Sequence, residues 1–173
     1  MSHPTSLAFS RAQSGQSVEP TQQLATFFVG GEMFGIDVQD VQEVLVAQEI
    51  TPVPLAPPYV LGLTNLRGQI LPTFDLRTRF GLQPREAGRD SSNVVVKTAE
   101  GPVSLVVDDI GDVIELSPSD GREVPETVSP AQRQFIRQVV LLEGRILLRL
   151  DLGRVFEEDI KGGSDDSKVT AAR

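Results

Sequence analysis

The chain contains no cysteine and no tryptophan, and its single histidine is His3. A catalytic triad needs a histidine beside its nucleophile, and most zinc sites need several histidines or cysteines. Both kinds of centre are therefore excluded from the rest of the chain, apart from rare types of zinc site. No glycine-rich phosphate loop is present either. The sequence predicts a protein that is not an enzyme and that binds no metal and no other cofactor.

Long apolar runs and clustered positive charge are also missing. No apolar stretch approaches the ~18 residues that a membrane span needs, and the N-terminus lacks the features of a signal peptide. The 16 Lys and Arg residues are scattered among 24 Asp and Glu, which gives a net charge of −8. Nucleic-acid binding requires clustered basic side chains. We therefore expect a cytoplasmic protein without membrane insertion and without a nucleic-acid partner.

Valine and isoleucine dominate the apolar residues, and 15 glycines and 12 prolines interrupt them at short intervals. This composition is typical of short β-strands joined by tight turns. Residues 1–23 are rich in Ser, Gln and Thr without an apolar period, so we expect a disordered N-terminal arm there. Similar reasoning predicts a flexible acidic tail over residues 159–173. The folded domain is then 24–158.

A sequence pattern occurs twice within the folded part. Leu-x-Gly-x-Ile-Leu, followed by Asp-Leu and Phe, begins at Leu66 and again at Leu142, an offset of 76. Upstream, the segment that begins at Leu24 aligns without gaps on the segment that begins at Asn93, an offset of 69. Duplicated segments in this order predict two related β-subdomains with a crevice between them. The two copies are 24–82 and 93–158.

The stretch after the first hairpin has a helical pattern. Asp37 stands where a helix N-cap belongs, and the apolar residues after it recur at helical spacing. We therefore predict a short helix from Val38 to Val46. Its apolar face comprises Val38, Val41, Val44 and Leu45.

The remainder reads as about ten short, mostly antiparallel strands. Gly30-Gly31 suits a hairpin turn because both central residues of such a turn need positive φ. Asp75 is expected to cap a short helical turn, and a helix from Leu152 to Glu157 is expected to close the domain. The polar loop 83–92 is the predicted boundary between the subdomains.

Arg67 stands out because it occupies a hairpin turn among apolar neighbours. A partly buried guanidinium needs an acceptor. Glu43 is the first candidate for this acceptor and Asp75 is the second. We predict a structural ion pair between Glu43 and Arg67 that holds the predicted helix against the turn.

Three acidic residues lie close together in the second copy: Asp108, Asp109 and Asp112. Adjacent residues of a strand point to opposite faces, and the glycine spacing of a calcium loop is absent. We therefore expect solvated carboxylates near a turn rather than metal ligands.

The block 62–77, GLTNLRGQILPTFDLR, resembles the signature of the CheW family, whose members are adaptors that join chemoreceptors to the CheA histidine kinase. The segments Phe34–Asp37 and Val41–Val44 resemble the first hairpin and helix of that family at the expected distance upstream. The resemblance extends over 24–156, nearly all of the predicted folded part.

The resemblance implies an all-β fold with short helices, in which two five-stranded SH3-like barrels pack together and segments can cross between them. It implies a non-catalytic adaptor, recruited to membrane-associated receptor arrays. A chemoreceptor's cytoplasmic hairpin tip would bind in the groove between the barrels. The CheW-like regulatory domain of a CheA-type kinase would bind barrel to barrel, at surfaces that the sequence does not assign to residues. The receptor-binding residues that we infer are Val41, Val44, Leu45, Leu66, Arg67 and Gly68.

The chain departs from the family pattern after Glu43-Val44. Leu45-Val46-Ala47 stands where the family usually has a basic residue and a glycine. The departure leaves an alternative open. The chain could be a CheW-like adaptor of a non-flagellar chemosensory pathway that controls pili, gliding or a second messenger, with a different partner set.

Overall fold

The computed structural model describes the backbone of residues 19–162 and the side chains of residues 19–157. Most of the predicted N-terminal arm and of the predicted tail, together with His3, lies outside the described residues. Within the described range there are eleven strands, three α-helices and two single turns of 3-10 helix. The strands are β1 (Gln22–Val29), β2 (Glu32–Asp37), β3 (Val41–Val46), β4 (Val60–Leu66), β5 (Gln69–Asp75), β6 (Ser92–Thr98), β7 (Gly101–Val107), β8 (Asp109–Leu116), β9 (Gly121–Arg122), β10 (Ile136–Leu142) and β11 (Arg145–Leu150). The helices are α1 (Leu76–Arg79), α2 (Pro130–Arg133) and α3 (Leu152–Gly162).

The strands form two sheets. The six-stranded sheet has the order β8-β1-β2-β11-β10-β9, and the five-stranded sheet has the order β3-β6-β7-β5-β4. The predicted fold class, mostly β-structure with short helices, is confirmed, although one sheet has six strands instead of five. Each sheet takes strands from both copies of the sequence repeat. The copies therefore do not correspond to the two sheets, because segments cross between them as the resemblance implied.

The two sheets nevertheless repeat each other strand for strand. When β1, β2, β3, β4 and β5 are matched to β6, β7, β8, β10 and β11, the strand orders become identical, and only β9 lacks a counterpart. The sequence offsets of 69 and 76 also map paired residues of one sheet onto paired residues of the other. The register is therefore the same in both sheets. Matching pairs are Phe27–Phe34 with Val96–Val103, Gly35–Arg149 with Ser104–Thr73, and Leu66–Gln69 with Leu142–Arg145.

One large hydrophobic core takes side chains from both sheets and from α1 and α3. Within it Phe34 stacks between Phe27 and Phe80, with ring centroids 6.1 Å and 4.9 Å apart. Through these two contacts Phe80, the residue that follows α1, packs against the β1–β2 hairpin. Each sheet also has a small cluster of its own. Burial of each such side chain contributes roughly 1.5–3 kcal/mol, so the large core holds the two sheets together.

The predicted helix from Val38 to Val46 is wrong. Only Val38–Asp40 forms a single 3-10 turn, and Val41–Val46 is strand β3, paired with β6. The bulge in this pairing explains the misleading pattern. Val41 pairs with Val96 and Val44 with Val94, so residues three apart share one face of a strand. Valine-rich sequence and an available partner strand outweigh the helical spacing.

Several element ends also differ from expectation. β1 begins at Gln22, inside the predicted N-terminal arm, and α3 continues to Gly162 instead of ending at Glu157. The first four residues of the predicted flexible tail therefore belong to a helix. Asp75 caps α1 as predicted, because its Oδ1 accepts a hydrogen bond from the backbone N–H of Arg77 at 3.1 Å.

Candidate protein-interaction surface

The β4–β5 turn presents Arg67 to solvent. Arg67 and Gly68 have φ values of +51° and +84°, and such a two-residue hairpin turn requires positive φ at both positions. Asn65 supports the turn, since its Oδ1 accepts a hydrogen bond from the N–H of Gly68 at 2.9 Å. The Arg67 side chain is 75% exposed, so the expected partial burial of its guanidinium is wrong.

Arg67 contacts Glu43 through two atom pairs. Nη2 lies 2.9 Å from Oε2, and Nη1 donates to Oε1 at 3.3 Å. Asp75, the second candidate partner, is instead engaged at α1, where it also accepts a hydrogen bond from Thr78 Oγ1 at 3.0 Å. Glu43 lies on β3 and Arg67 follows β4. The ion pair therefore links the two strands that end the five-stranded sheet.

The six residues inferred to bind a receptor do not form one face. Leu45 and Leu66 point inward and belong to the small cluster of the five-stranded sheet, together with Leu71 and Val95. Val41 packs against the large core. Val44 is 45% exposed but lies on the opposite face of β3 from Glu43, its neighbour in sequence. The exposed members are Val44, Arg67 and Gly68.

Exposed apolar side chains extend beyond these residues. Ile70 and Ile146 are 56% and 51% exposed, and they occupy corresponding positions on the two β-hairpins that follow the 76-residue offset. The repeat together with period-2 alternation could have identified both. Among the side chains of residues 19–157, the other large exposed apolar residues are Val46, Val53, Leu55, Leu63, Val113 and Leu141.

The sequence predicted a solvated carboxylate at Asp108, and this prediction is wrong. Asp108 accepts hydrogen bonds from the backbone N–H of Gly30 at 2.7 Å and from Arg77 and Arg85, with closest distances of 2.8 Å to each guanidinium. Asp109 and Asp112, by contrast, are exposed. No sequence spacing connects Arg85 with Asp108, so only the folded chain could reveal this cluster.

The electrostatics of the cluster favour the ionised carboxylate. Burial would raise the pKa of Asp108, but the hydrogen bonds from Arg77, Gly30 and Arg85 outweigh that effect and hold this pKa well below its usual range. The same contact with Asp108 raises the pKa of Arg77. The cluster fastens the loop after α1 to the β1–β2 turn and to the junction of β7 and β8.

Within residues 19–162, no group of three acidic, histidine or cysteine side chains is placed to hold a metal ion. No helix in the same range has the length and apolar character needed to cross a membrane. The described surface carries exposed apolar side chains and ion pairs.

Comparison with known proteins identifies the family. Residues 23–159 match the model of the CheW-like domain. The chain is 33% identical over 138 residues to chemotaxis protein CheW of Rhizobium meliloti, covering 80% of this chain and 89% of that protein. The solved scaffolding protein TtCheW from Thermoanaerobacter tengcongensis superposes with a TM-score of 0.72 at 29% identity, covering 80% of this chain and 94% of that one. Protein FrzA of Myxococcus xanthus is 39% identical over 70 residues, 40% of this chain and 43% of that protein. The chain belongs to the CheW-like domain family.

Proposed function

We propose that this chain is a non-catalytic adaptor that couples the cytoplasmic hairpin tip of a chemoreceptor to a CheA-type histidine kinase in a signalling array. The carrying observation is that the family match spans almost the whole folded part. The Rhizobium relative, named a chemotaxis protein, is covered over 89% of its length, and the solved relative, titled a scaffolding protein, over 94%. The similarity therefore concerns whole proteins and not one shared segment.

The receptor would bind at β3 and the neighbouring β4–β5 turn. Val44 offers exposed apolar surface, and Val41 lies beside it on the same face at the margin of the large core. Arg67 offers donors that its contact with Glu43 leaves available, because a guanidinium carries five N–H groups. Leu45 and Leu66 would support this surface from inside the sheet. Because β3 is an end strand, a helical hairpin at this edge would contact Val44 on one face of the strand and Arg67 beyond the other.

The kinase would bind at the exposed apolar side chains Ile70 and Ile146. Ile70 lies on the same β4–β5 hairpin as Arg67, whereas Ile146 lies on the other sheet, away from the receptor surface. These residues correspond through the internal repeat, so the chain presents one similar apolar position on each sheet. A kinase domain with the same duplicated fold could pack against either hairpin, barrel to barrel. Apolar residues at the centre of such a contact would supply most of its binding energy.

The test is reconstitution with the full-length chain. Receptor cytoplasmic fragments assembled on vesicles and the kinase from the source organism are sedimented with and without this chain. We expect the kinase to enter the pellet, and receptor control of its phosphorylation rate to appear, only when the chain is present. Sedimentation of receptor and kinase together without the chain, or failure of the chain to bind either partner, would contradict the proposal.

A CheW-like adaptor of a non-flagellar pathway is the second candidate. The departure from the family pattern at Leu45-Val46-Ala47 supports it. One relative that covers 40% of the chain, FrzA, also has a name other than CheW. Affinity purification of the full-length chain from its native cells, followed by mass spectrometry, distinguishes the two. Receptors and a kinase that belong to a pathway for pili, gliding or a second messenger would favour the second candidate.

A further inference from the structure

A groove of about 460 Å³ lies beside the first turn of α3. Its apolar lining comes from both sheets and from α3, so it lies where the two sheets meet. Its charged lining contains more acidic than basic side chains. The apolar lining includes Phe74, Val103, Leu150, Leu152 and Phe156, and the charged lining is Asp37, Asp40, Glu100, Asp151, Lys97 and Arg137.

The internal repeat gives this groove a counterpart beside α1, and there Leu82 fills the part next to Gly30. The counterparts of Lys97, Glu100 and Gly153 line a separate open cleft; they are Phe28, Gly31 and Arg77. Leu82, which follows α1, packs against the large core and reaches the β1–β2 turn. A Cβ added at Gly30 would meet the Leu82 Cδ1 at 2.8 Å. Arg85, three residues further on, binds Asp108 beside it. The filled site therefore combines an apolar side chain with a nearby arginine.

Two sequence differences leave the groove beside α3 open. Gly153 stands at the position of Arg77, so no long side chain enters from the helix. Gly81, with φ of +70°, follows α1 and turns the chain back over the filled site, whereas its counterpart Glu157 lies inside α3. At the corresponding place α3 continues, so no turn over the groove follows there.

We propose that residues 5–12 of this same chain occupy the groove, with Phe9 on its apolar floor and Arg11 at its acidic rim. The described chain begins close to this site. Thr21 and Gln22 line a neighbouring cleft that shares Asp37, Asp40 and Arg137 with the groove. At ~3.3 Å per residue, the twelve residues from Thr21 back to Phe9 reach about 40 Å, which is ample.

The chemistry of residues 5–12 matches both linings. Leu7 and Phe9 supply apolar side chains, Arg11 supplies a positive charge, and the segment contains no acidic residue. The filled counterpart has the same combination in Leu82 and Arg85. The segment after α3 fits less well, since Val169 is its only large apolar residue and Asp165 and Asp166 would face an acidic rim.

A single tryptophan tests the proposal, because the natural chain has none. Full-length chains carrying Phe9→Trp, or Ser2→Trp as the matched control, are compared by emission wavelength and acrylamide quenching. We expect the Phe9→Trp emission to be blue-shifted and quenched several-fold less than that of Ser2→Trp. Addition of Gly153→Arg, which restores a long side chain at the position of Arg77, should abolish both differences, whereas Gly153→Ala should preserve them.

Thermal unfolding checks that the Gly153 variants are folded. The variant Arg11→Glu tests the same contact without any change in the folded domain. Arg11→Glu should shift the emission of Phe9→Trp toward that of the control. Emission from Phe9→Trp that equals the control in the otherwise unchanged chain would overturn the proposal. Protection of Val169→Trp in its place would overturn it in favour of the C-terminal segment.

Discussion

The two sheets share strand order and register but differ in some of the side chains that they bury. Inside the six-stranded sheet the small cluster is aliphatic, with Leu24 and Val140 among its buried members. The corresponding positions in the five-stranded sheet are Asn93 and Thr64, which are buried and hydrogen-bonded. Backbone pairing therefore keeps the same register although these two interior positions change from apolar to polar. The turns differ as well, since φ is positive at Arg67 but not at its counterpart Glu143.

A second difference lies where the end strands approach the hairpin turns. Glu43 and Arg67 form an ion pair in the five-stranded sheet, whereas the corresponding positions in the six-stranded sheet are Asp112 and Glu143, both acidic. A hairpin with the same strand register therefore forms without a positive charge at this position, although its turn has positive φ only at Gly144. The presence of Arg67 in only one sheet is consistent with a role in binding, which the proposed receptor site assigns to it.

The largest loss of unfolding free energy should come from the Asp108 cluster, which occurs once in the internal repeat because Gln39 stands at the position that corresponds to Asp108. Asp108→Ala leaves two guanidinium groups and the N–H of Gly30 without their acceptor. We expect a loss of about 2–4 kcal/mol in the free energy of unfolding, measured with urea. The exposed Asp109→Ala should cost much less. Equal losses would show that Asp108 does not hold the loop after α1.

The same residue predicts a pH dependence. Because the folded chain lowers the pKa of Asp108, its stabilising contribution is complete above the unfolded pKa of about 4 and is lost as the pH falls further. The unfolding free energy of the natural chain should therefore decline below about pH 4 more steeply than that of Asp108→Ala. Parallel declines in the two proteins would contradict this assignment.

The next largest loss of unfolding free energy should come from the hydrogen-bonded threonine pair inside the five-stranded sheet. The hydroxyls of Thr64 and Thr73 are hydrogen-bonded at 2.8 Å, and both residues are buried. Thr64→Val leaves the Thr73 hydroxyl without its partner and should cost about 1–3 kcal/mol, whereas the double variant to valine should cost less than the sum of the single variants. The reciprocal Val140→Thr should destabilise the six-stranded sheet. Additive losses in the threonine variants would mean that the hydroxyl pair contributes nothing.

Binding measurements should distinguish the receptor surface at Val44 from the hairpin that carries Ile146. Val44→Asp is expected to weaken receptor binding by more than tenfold, about 1.4 kcal/mol, while kinase binding persists. Ile146→Asp is the matched control, since it places the same charge at a similarly exposed position on the other sheet and should spare receptor binding. Titration calorimetry with each partner measures both constants. Loss of both partners in a folded Val44→Asp chain would mean that the two surfaces are not separate.

The smallest effect should come from the Glu43–Arg67 pair, because the Arg67 side chain is mostly exposed. A double-mutant cycle with alanine should give a coupling of about 0.2–1 kcal/mol, less than a buried pair would give. The complementary change Glu143→Arg should create a similar pair with Asp112 and stabilise the six-stranded sheet slightly. Zero coupling in the cycle would leave Arg67 without a structural role.

Sequence reasoning identified much of the fold because the relevant signals are local. The 69- and 76-residue offsets located equivalent strands, Gly30-Gly31 marked a turn, and Asp75 capped α1. The same reasoning failed at β3, where a bulge gives a strand the spacing of a helix. The 69-residue offset aligns this segment with β8, which is also a strand, so the internal repeat supplies the signal that the helical spacing obscured.

The duplicated β-structure, the hairpin turn at Arg67 and the family follow from the amino-acid sequence, because turn preference, strand alternation and the signature block depend on residues close together in the chain. The folded structure was needed to show that each sheet takes strands from both copies, that Leu45 and Leu66 point inward, and that Arg77 and Arg85 share Asp108. These outcomes depend on contacts between residues far apart in the chain, such as the 23 positions between Arg85 and Asp108. Their geometry is set when the large core brings the two sheets together.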